Sequence, residues 1–320
     1  MTKAKVRVAE IPRDYAGRRL DQALAALFPD VTRSQLQQWI ADGRVLLDER
    51  APRKRDKVRG GERVEVREPT AAIATDTAEP IALDIVYEDE SLIVVNKPAG
   101  LVVHPGAGNP RGTLLNALLH HAPELARLPR AGIVHRLDKD TSGLMVVART
   151  EQARQRLSDD LQSRRISREY IAIVNGVMVA GGTVEAPIGR HRVDRKRMAV
   201  TERGREAVSH YRVMRKYRAH TLVQVTLESG RTHQIRVHMA HLRFPVIGDP
   251  VYGGRLRVPP AASARLTELL RGFKRQALHA VKLSLRHPQT GEELRWSASV
   301  PEDMSVLMEA LVEDAREHAN

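Results

Sequence analysis

A stretch of acidic and small residues divides this otherwise basic chain into two blocks. Residues 71–90 carry six acidic side chains and no lysine or arginine. Residues 1–70 hold 16 Lys and Arg against 11 Asp and Glu, and residues 91–320 hold 36 against 22. An acidic segment of small residues is typical of a linker and would not bind a polyanion. We therefore predict a first domain over 1–70, a linker over 71–82 and a second domain over 83–320.

The first block has the pattern of a small α/β domain. Apolar residues at helical spacing predict a helix over 20–27, which ends before Pro29. A second helix is expected to start after Thr32, its predicted N-cap, and to end near Gly43. VLL at 45–47 and RVEVR at 63–67 predict two short strands.

The second block mixes strands, hairpins and helices. DIVYE (84–88) with SLIVVNK (91–97), and ALHAVKLSLRH (277–287) with ELRWSASV (293–300), predict hairpins. Further strands are expected at 143–150, 169–176, 207–217 and 220–228. Helices are expected at 114–121, 151–163, 232–242 and 301–318. This order favours an α+β fold with a largely antiparallel mixed sheet over a doubly wound parallel one.

Composition excludes several classes of function. The chain has no cysteine, so it holds no disulfide, zinc–thiolate site, iron–sulfur cluster or cysteine nucleophile. It also lacks the glycine-rich nucleotide loops, the HExxH motif and the GxSxG motif, and we therefore predict no cofactor. No apolar segment has the pattern of a signal peptide or the length of a membrane-spanning helix. We therefore predict a cytoplasmic protein. The net charge of +13 indicates a polyanionic partner.

The strongest candidate site is the polar loop HRLDKDTSG, residues 135–143, which leads into a buried strand. Asp138 and Asp140 lie in this loop, and loops held by a rigid sheet often carry reactive groups. An ordinary turn would have a similar composition. Arg136, two residues before Asp138 in a strongly basic chain, favours the functional interpretation.

Two other segments carry candidate groups. Arg231 lies at the start of the predicted helix 232–242 and could reach a loop carboxylate. His233, His238 and His241 could be metal ligands, but no acidic residue in the same short segment completes a site, and we predict none. Tyr170 begins a strand directly after basic residues, although a tyrosine at a strand edge is common without any function.

Three basic runs could contact a nucleic acid or could be merely solvated faces. Because they flank one candidate site, we favour contact with RNA. The runs are Arg53, Lys54, Arg55, Lys57 and Arg59; Arg164, Arg165 and Arg168; and Arg190, Arg192, Arg195, Lys196 and Arg197.

Four segments together resemble the RluA family of pseudouridine synthases. They are HRLDKDTSG (135–143), REY (168–170), GRTHQIRVH (230–238) and LHA (278–280), in the order that the family has them. The first block resembles an S4 RNA-binding domain. Residues 102–121, VVHPGAGNPRGTLLNALLHH, are most similar to members that modify a stem-loop of large-subunit ribosomal RNA.

The resemblance implies an enzyme that isomerises uridine in RNA to its C-glycoside without a cofactor. It implies that Asp138 is the catalytic carboxylate and that Arg231 pairs with it. It further implies that Tyr170 stacks on the target base, and is a candidate proton acceptor, and that Arg136 fills the gap left by a flipped nucleotide. His233 is expected to face the RNA. Attack by the carboxylate and elimination through a glycal both remain open.

The leading prediction is an enzyme that modifies a stem-loop of large-subunit ribosomal RNA. Three alternatives to it remain open. The first is the same reaction at other ribosomal uridines. The second is a non-catalytic RNA-binding or ribosome-assembly factor, and the third is a hydrolase that uses Asp138 with Asp140. The presence of Asp138, Tyr170 and Arg231 in their motifs weighs against the second. We found no self-complementary apolar stripe and expect a monomer.

Overall fold

The computed structural model describes residues 6–29, 31, 33–67, 77–106, 108–194 and 197–318. The chain forms two compact units, Met1–Thr75 and Asp76–Asn320. Thr32, the predicted N-cap, and residues 71–76 of the predicted linker lie outside the described residues. Within 77–82, the Glu79 amide donates to the Asn116 carbonyl at 3.0 Å, and Gly112 donates its amide to the Glu79 carboxylate. These linker residues are therefore bound to the second unit.

The first unit places two helices against a three-stranded antiparallel sheet of order β1-β3-β2. Its elements are β1 (Val6–Glu10), α1 (Leu20–Leu27), α2 (Arg33–Ala41), β2 (Val45–Leu47) and β3 (Arg63–Arg67). The apolar stripe of α1, with Leu20 and Leu24, packs on Leu36 of α2 and on Val64 and Val66 of β3. Both predicted helices and both predicted strands are confirmed, whereas β1 was not predicted.

The second unit is built on a nine-stranded sheet. Its strands, with one separate hairpin, are β4 (Ile85–Glu88), β5 (Leu92–Lys97), β6 (Ser142–Ala148), β7 (Ser167–Asn175), β8 (Gly182–Glu185), β9 (Ile188–Arg190), β10 (Met198–Val200), β11 (Val208–Lys216), β12 (His220–Leu227), β13 (Leu278–Arg286) and β14 (Glu293–Ser297). Its helices are α3 (Leu114–His121), α4 (Glu151–Gln162), α5 (Gln234–His241), α6 (Ala264–Gly272) and α7 (Glu302–Glu317).

The strand order of this sheet is β4-β5-β6-β13-β7-β12-β11-β8, and β14 pairs with β13. Among the described strands, only β6 and β13 run parallel; the other pairs are antiparallel. The predicted α+β fold with a largely antiparallel mixed sheet is confirmed. β9 and β10 form a separate two-stranded hairpin that the sequence did not predict.

The central strands of the sheet are buried on both faces, which explains their nearly continuous apolar runs. Side chains alternate between faces along a strand. On β5, Ile93 and Val95 join a large core with α3, α5, α6 and α7, whereas Leu92 and Val94 join a second core with α4. The capping box of Thr113 on α3 and the N-cap hydroxyl of Thr150 on α4 fix where these helices begin.

One close approach between strands places the loop 135–141 beside the start of β7. Gly143 has φ +114°, and a Cβ atom there would lie 2.3 Å from the carbonyl oxygen of Ala280. Only glycine therefore allows β6 to pair with β13 at this point. Ala280 pairs with Gly143 on one side and with Tyr170 on the other. This register across three strands brings the Asp138 loop next to Tyr170.

Candidate active site

A cleft of about 960 Å³ opens in the second unit where the loop 135–141, the start of β7 and the start of α5 meet. Its walls include seven residues that the sequence singled out: Arg136, Asp138, Arg164, Arg168, Tyr170, Arg231 and His233. The loop 135–141, the start of β7 and the segment 230–236 are therefore brought to one place in the second unit. Asp140 is not among the residues that line the cleft.

Asp138 is fixed by an arginine on α5. Nη1 of Arg236 donates to Oδ2 of Asp138 at 2.8 Å. The Asp138 side chain is 16 % exposed, and the Arg236 side chain is buried. A charge-assisted hydrogen bond of this kind holds a carboxylate in a defined orientation.

Arg236 is held in turn by Asp249. Its Nε and Nη2 donate to the two carboxylate oxygens of Asp249, at 2.6 and 2.9 Å. Oδ1 of Asp249 also accepts from the backbone amides of Val251 and Tyr252. Burial alone would raise the pKa of Asp249, but the Arg236 guanidinium and these amides hold it below its usual range. Arg236 therefore enters the cleft wall in a fixed orientation.

The expected pairing of Arg231 with Asp138 is wrong. Arg231 lies in the turn before α5, and its Nε donates to the backbone carbonyl of Glu206 at 3.0 Å. The helix begins at Gln234, after His233 in the left-handed conformation with φ 58°. Because the backbone changes direction at His233, Arg231 lies away from the loop 135–141. Arg236, inside α5, instead points towards that loop.

His233 lies at the edge of the same site. Its Nε2 is 3.9 Å from Oδ1 of Asp138, and its Nδ1 is 2.9 Å from the hydroxyl of Tyr252. That hydroxyl accepts from the Met198 amide, so its own proton can be donated to Nδ1. In that arrangement the imidazole proton lies on Nε2 and faces Asp138. Burial lowers the pKa of His233, although the charge of Asp138 acts in the opposite direction.

Tyr170 forms part of the apolar floor of the cleft. Its ring is buried in the large core of the second unit. Burial raises the pKa of its hydroxyl; the charge of Arg168 acts against this and that of Asp138 adds to it. The phenol is therefore protonated at neutral pH, which disfavours the predicted alternative role as a proton acceptor and agrees with stacking.

Two buried groups hold the loop that carries Asp138. Nζ of Lys97, at the end of β5, donates to the carbonyls of Pro98, Leu101 and Lys139 at 2.8 to 3.0 Å. Burial lowers the pKa of Lys97 to about 7, while the charges of Asp140 and Asp138 act in the opposite direction. At the other end of the loop, Nε2 of His135 accepts from the Val146 amide at 3.0 Å.

The chain is similar to known proteins over nearly its whole length. The family model for RNA pseudouridylate synthase matches residues 91–241, and the S4 domain model matches residues 18–64. The chain is 55 % identical to "Ribosomal large subunit pseudouridine synthase D" of Xanthomonas campestris, over 98 % of this chain and 94 % of the relative. It is also 55 % identical to the protein of the same name from Pseudomonas aeruginosa, over 96 % of both chains.

The chain belongs to the pseudouridine synthase family. It is therefore an isomerase that converts uridine in RNA to pseudouridine, with an S4 domain at its N-terminus, as the sequence motifs predicted. A solved structure, "Human RNA Pseudouridylate Synthase Domain Containing 4", is similar to this chain with a TM-score of 0.55 and 28 % identity. The similarity covers 71 % of this chain and 92 % of the human one.

The predicted RNA-contacting residues fall into distinct environments in this pseudouridine synthase. Arg136 and Arg168 line the cleft, but Arg165 does not, because it pairs with Asp160. The Arg197 guanidinium lies 5.3 Å from the centre of the Tyr252 ring. Arg53, Lys54 and Arg55 are exposed in the first unit, and Arg195 and Lys196 lie outside the described residues.

Several cleft residues were not predicted at all. Besides Arg236 and Asp249, they include Arg130 and Arg205 in the cleft wall and Tyr252 behind it. The structure shows why Arg236 needs a partner: all residues from Gln234 to Met239 are buried, and a charged residue inside a buried helix must be paired.

Of the two remaining histidines of this segment, His241 is exposed and His238 is held by hydrogen bonds. His238 is buried, with Nδ1 2.9 Å from the Ser209 hydroxyl and Nε2 3.0 Å from the Ala186 carbonyl. Within the described ranges, no three His, Asp or Glu side chains come together as metal ligands would. In the same ranges, no helix combines the length and the apolar character needed to span a bilayer.

Proposed function

We propose that this protein converts uridine to pseudouridine in a stem-loop of large-subunit (23S) ribosomal RNA, with Asp138 as the catalytic carboxylate. The substrate class is supported by the name shared by relatives that are 55 % identical over nearly the whole chain. The S4 domain and the net charge of +13 support binding to RNA.

One observation carries the assignment of Asp138. Its Oδ2 is bound by Arg236, whereas its Oδ1 accepts no hydrogen bond from any residue in the described part of the chain. The hydrogen bond to Oδ2 thus fixes the orientation of the carboxylate, and Oδ1 is left to face the cleft. A carboxylate that is aimed, partly desolvated and in contact with a cation is suited to act on a bound sugar or base.

The reaction needs few groups. The bond between N1 of uracil and C1′ of the ribose breaks, the base turns, and C5 forms the new bond to C1′. C5 then loses its proton and N1 gains one, so the reaction involves no net oxidation or hydrolysis. Asp138 supports either route: its oxygen adds to the ring or the sugar, or it accepts a proton during elimination to a glycal.

The surrounding side chains hold the uracil after it is detached. Tyr170 offers a protonated, buried ring on which the base stacks. Arg136 is exposed at the cleft and can occupy the space that the flipped nucleotide leaves in the RNA. Unstacking a nucleotide costs a few kcal/mol, which an inserted guanidinium and phosphate contacts offset.

The decisive experiment is to map pseudouridines in ribosomal RNA from cells that lack this protein and then to add the purified protein back. We expect at least one uridine of large-subunit RNA to lose and regain its modification. Isomerisation confined to uridines outside that RNA would overturn the proposed substrate. Unchanged RNA, or a free base with an abasic site, would instead favour a binding factor or a hydrolase.

Two finer predictions accompany this proposal. The cytoplasmic location and the monomeric state predicted from the sequence stay predictions. Fractionation of cells and light scattering of the purified protein, respectively, test them.

A further inference from the structure

A buried arginine in the cleft wall has no hydrogen-bond or ion-pair partner among the described residues. Arg168 is only 7 % exposed and lines the cleft. Its Nε is buried without a hydrogen-bond acceptor. In the described part of the chain, no carboxylate or carbonyl oxygen pairs with its guanidinium. Buried charges are normally paired, because removing them from water is costly.

Other arginines surround the same wall. Arg164, Arg205 and Arg231 line the cleft with Arg168. Burial, together with the charges of Arg205 and Arg164, lowers the pKa of Arg231. Two acidic residues offset only part of this charge. Glu228 pairs with Arg164, and the charge of the Glu206 carboxylate acts on Arg231, whose Nε also donates to the Glu206 backbone carbonyl. Among the described residues that line the cleft, arginines therefore outnumber carboxylates.

Arg168 lies next to the place where the reacting nucleotide is expected to bind. Arg168 and Tyr170 are two residues apart on β7 and lie on the same face of the strand, about 7 Å apart along it. A Cβ atom at Gly230 would lie 2.8 Å from Nη1 of Arg168, so the absence of a side chain at 230 makes room for the guanidinium. The charge thus lies beside the ring on which the base is expected to stack.

We propose that Arg168, with Arg205 and Arg231, binds one backbone phosphate of the RNA next to the target uridine. This inference rests on the proposed RNA substrate. Guanidinium groups bind phosphate through two parallel hydrogen bonds, and an anion here would neutralise the excess charge. It also gives Arg231 a role that its position allows, in place of the ion pair with Asp138.

The test uses a set of RNA stem-loops, each with a single neutral methylphosphonate linkage near the target uridine. Binding is measured with full-length protein carrying Asp138→Asn, so that turnover does not interfere. We expect one linkage to weaken binding roughly 10- to 100-fold, as loss of a hydrogen-bonded charge pair does. Adding Arg168→Met should weaken binding to natural RNA similarly and should remove most of the sensitivity to that linkage.

Two further variants make the outcome specific. Arg286→Met removes an arginine from β13 that is exposed and does not line the cleft, so the effect of the methylphosphonate should persist in it. Gly230→Ala keeps every charge but displaces the Arg168 guanidinium, so it should reduce the effect of the same linkage. It also replaces Arg168→Met as the test if that variant does not fold.

Additive effects of Arg168→Met and the methylphosphonate at every linkage would overturn the proposal. Saturable, Arg168-dependent binding of inorganic phosphate without any methylphosphonate effect would also overturn it, because the site would then serve a free anion. Wild-type turnover of the same stem-loops is measured separately. Absence of turnover would contradict the proposed function, whereas the coupling between Arg168 and the phosphate is read from binding alone.

Discussion

Asp138 receives its hydrogen bond from an arginine, Arg236, whose other two guanidinium nitrogens donate to a second carboxylate. The Nη1–Oδ2 distance to Asp138 is 2.8 Å, and Nε and Nη2 bind Asp249. One positive charge is therefore shared between two carboxylates. The arrangement orients Asp138 firmly and leaves its Oδ1 without a hydrogen bond from the described residues.

Replacing Asp138 by Asn should abolish isomerisation while leaving the fold and RNA binding intact. The amide keeps the shape of the side chain but cannot act as a nucleophile or base, so we expect the rate to fall by roughly a thousand-fold or more. Single-turnover assays on a ribosomal RNA fragment measure this, with circular dichroism and RNA affinity as controls. A folded Asn variant with normal turnover would contradict the assignment.

Arg236→Lys should reduce the rate strongly, because lysine cannot bind Asp249 through two donors and still reach Asp138. We expect the loss in kcat rather than in RNA affinity. Removal of the charge by Arg236→Met should also destabilise the second unit by about 3–5 kcal/mol, because two carboxylates lose their common partner.

The matched comparison is Arg231→Met. It should weaken RNA binding while leaving kcat at saturating RNA within a few-fold of the wild type, because Arg231 does not contact Asp138. A large loss of kcat in Arg231→Met together with a normal kcat in Arg236→Lys would instead support the pairing of Arg231 with Asp138 that the sequence predicted.

Acid should destabilise the second unit through buried histidines. Burial lowers the pKa of His279 to about 4, and its Nδ1 lies 2.9 Å from the hydroxyl of Ser142. Between about pH 6.5 and 4, the unfolded chain binds a proton at this residue and the folded chain does not. The free energy of unfolding should therefore fall as the pH falls through this window, by about 1.4 kcal/mol per pH unit from this one group.

The measurement is urea unfolding between pH 4 and 8, followed by the fluorescence of Trp296 in a Trp39→Phe background. The chain has two tryptophans, and these lie in different units. His279→Gln should show a smaller decrease of the unfolding free energy at low pH than its parent. An identical pH dependence in the two proteins would show that His279 is not the group responsible. His135 and His220, whose pKa values burial also lowers, contribute with the same sign.

Neutralising the exposed run Arg53, Lys54 and Arg55 with glutamine should weaken RNA binding without changing kcat at saturating RNA. Each phosphate contact releases a counterion, so the slope of log K against log salt should become shallower by about 2 to 3. Titrations of a labelled stem-loop at several salt concentrations measure this slope. An unchanged slope would show that this run does not contact phosphates.

Much of the fold follows from local sequence patterns. The predicted hairpin 84–97, the adjacent strands β11 and β12, and the helix after Thr150 are present because alternation and capping act over a few residues. The hairpin of β9 and β10 was missed because its strands have three residues each and lie in an arginine-rich stretch. Contacts from elsewhere in the chain, such as the Met198 amide bound to the Tyr252 hydroxyl, hold it in place.

The sequence by itself determined the α+β class, the loop that carries Asp138 and the strand that begins near Tyr170, since periodicity and turn chemistry are local properties. Only the tertiary structure decided that Arg236 rather than Arg231 contacts Asp138, and that Arg168 is buried with no partner among the residues that the structure describes. The physical reason is that an ion pair depends on the direction in which a helix enters a site. Here that direction is fixed by the left-handed residue His233 and by packing against strands that are distant in the sequence.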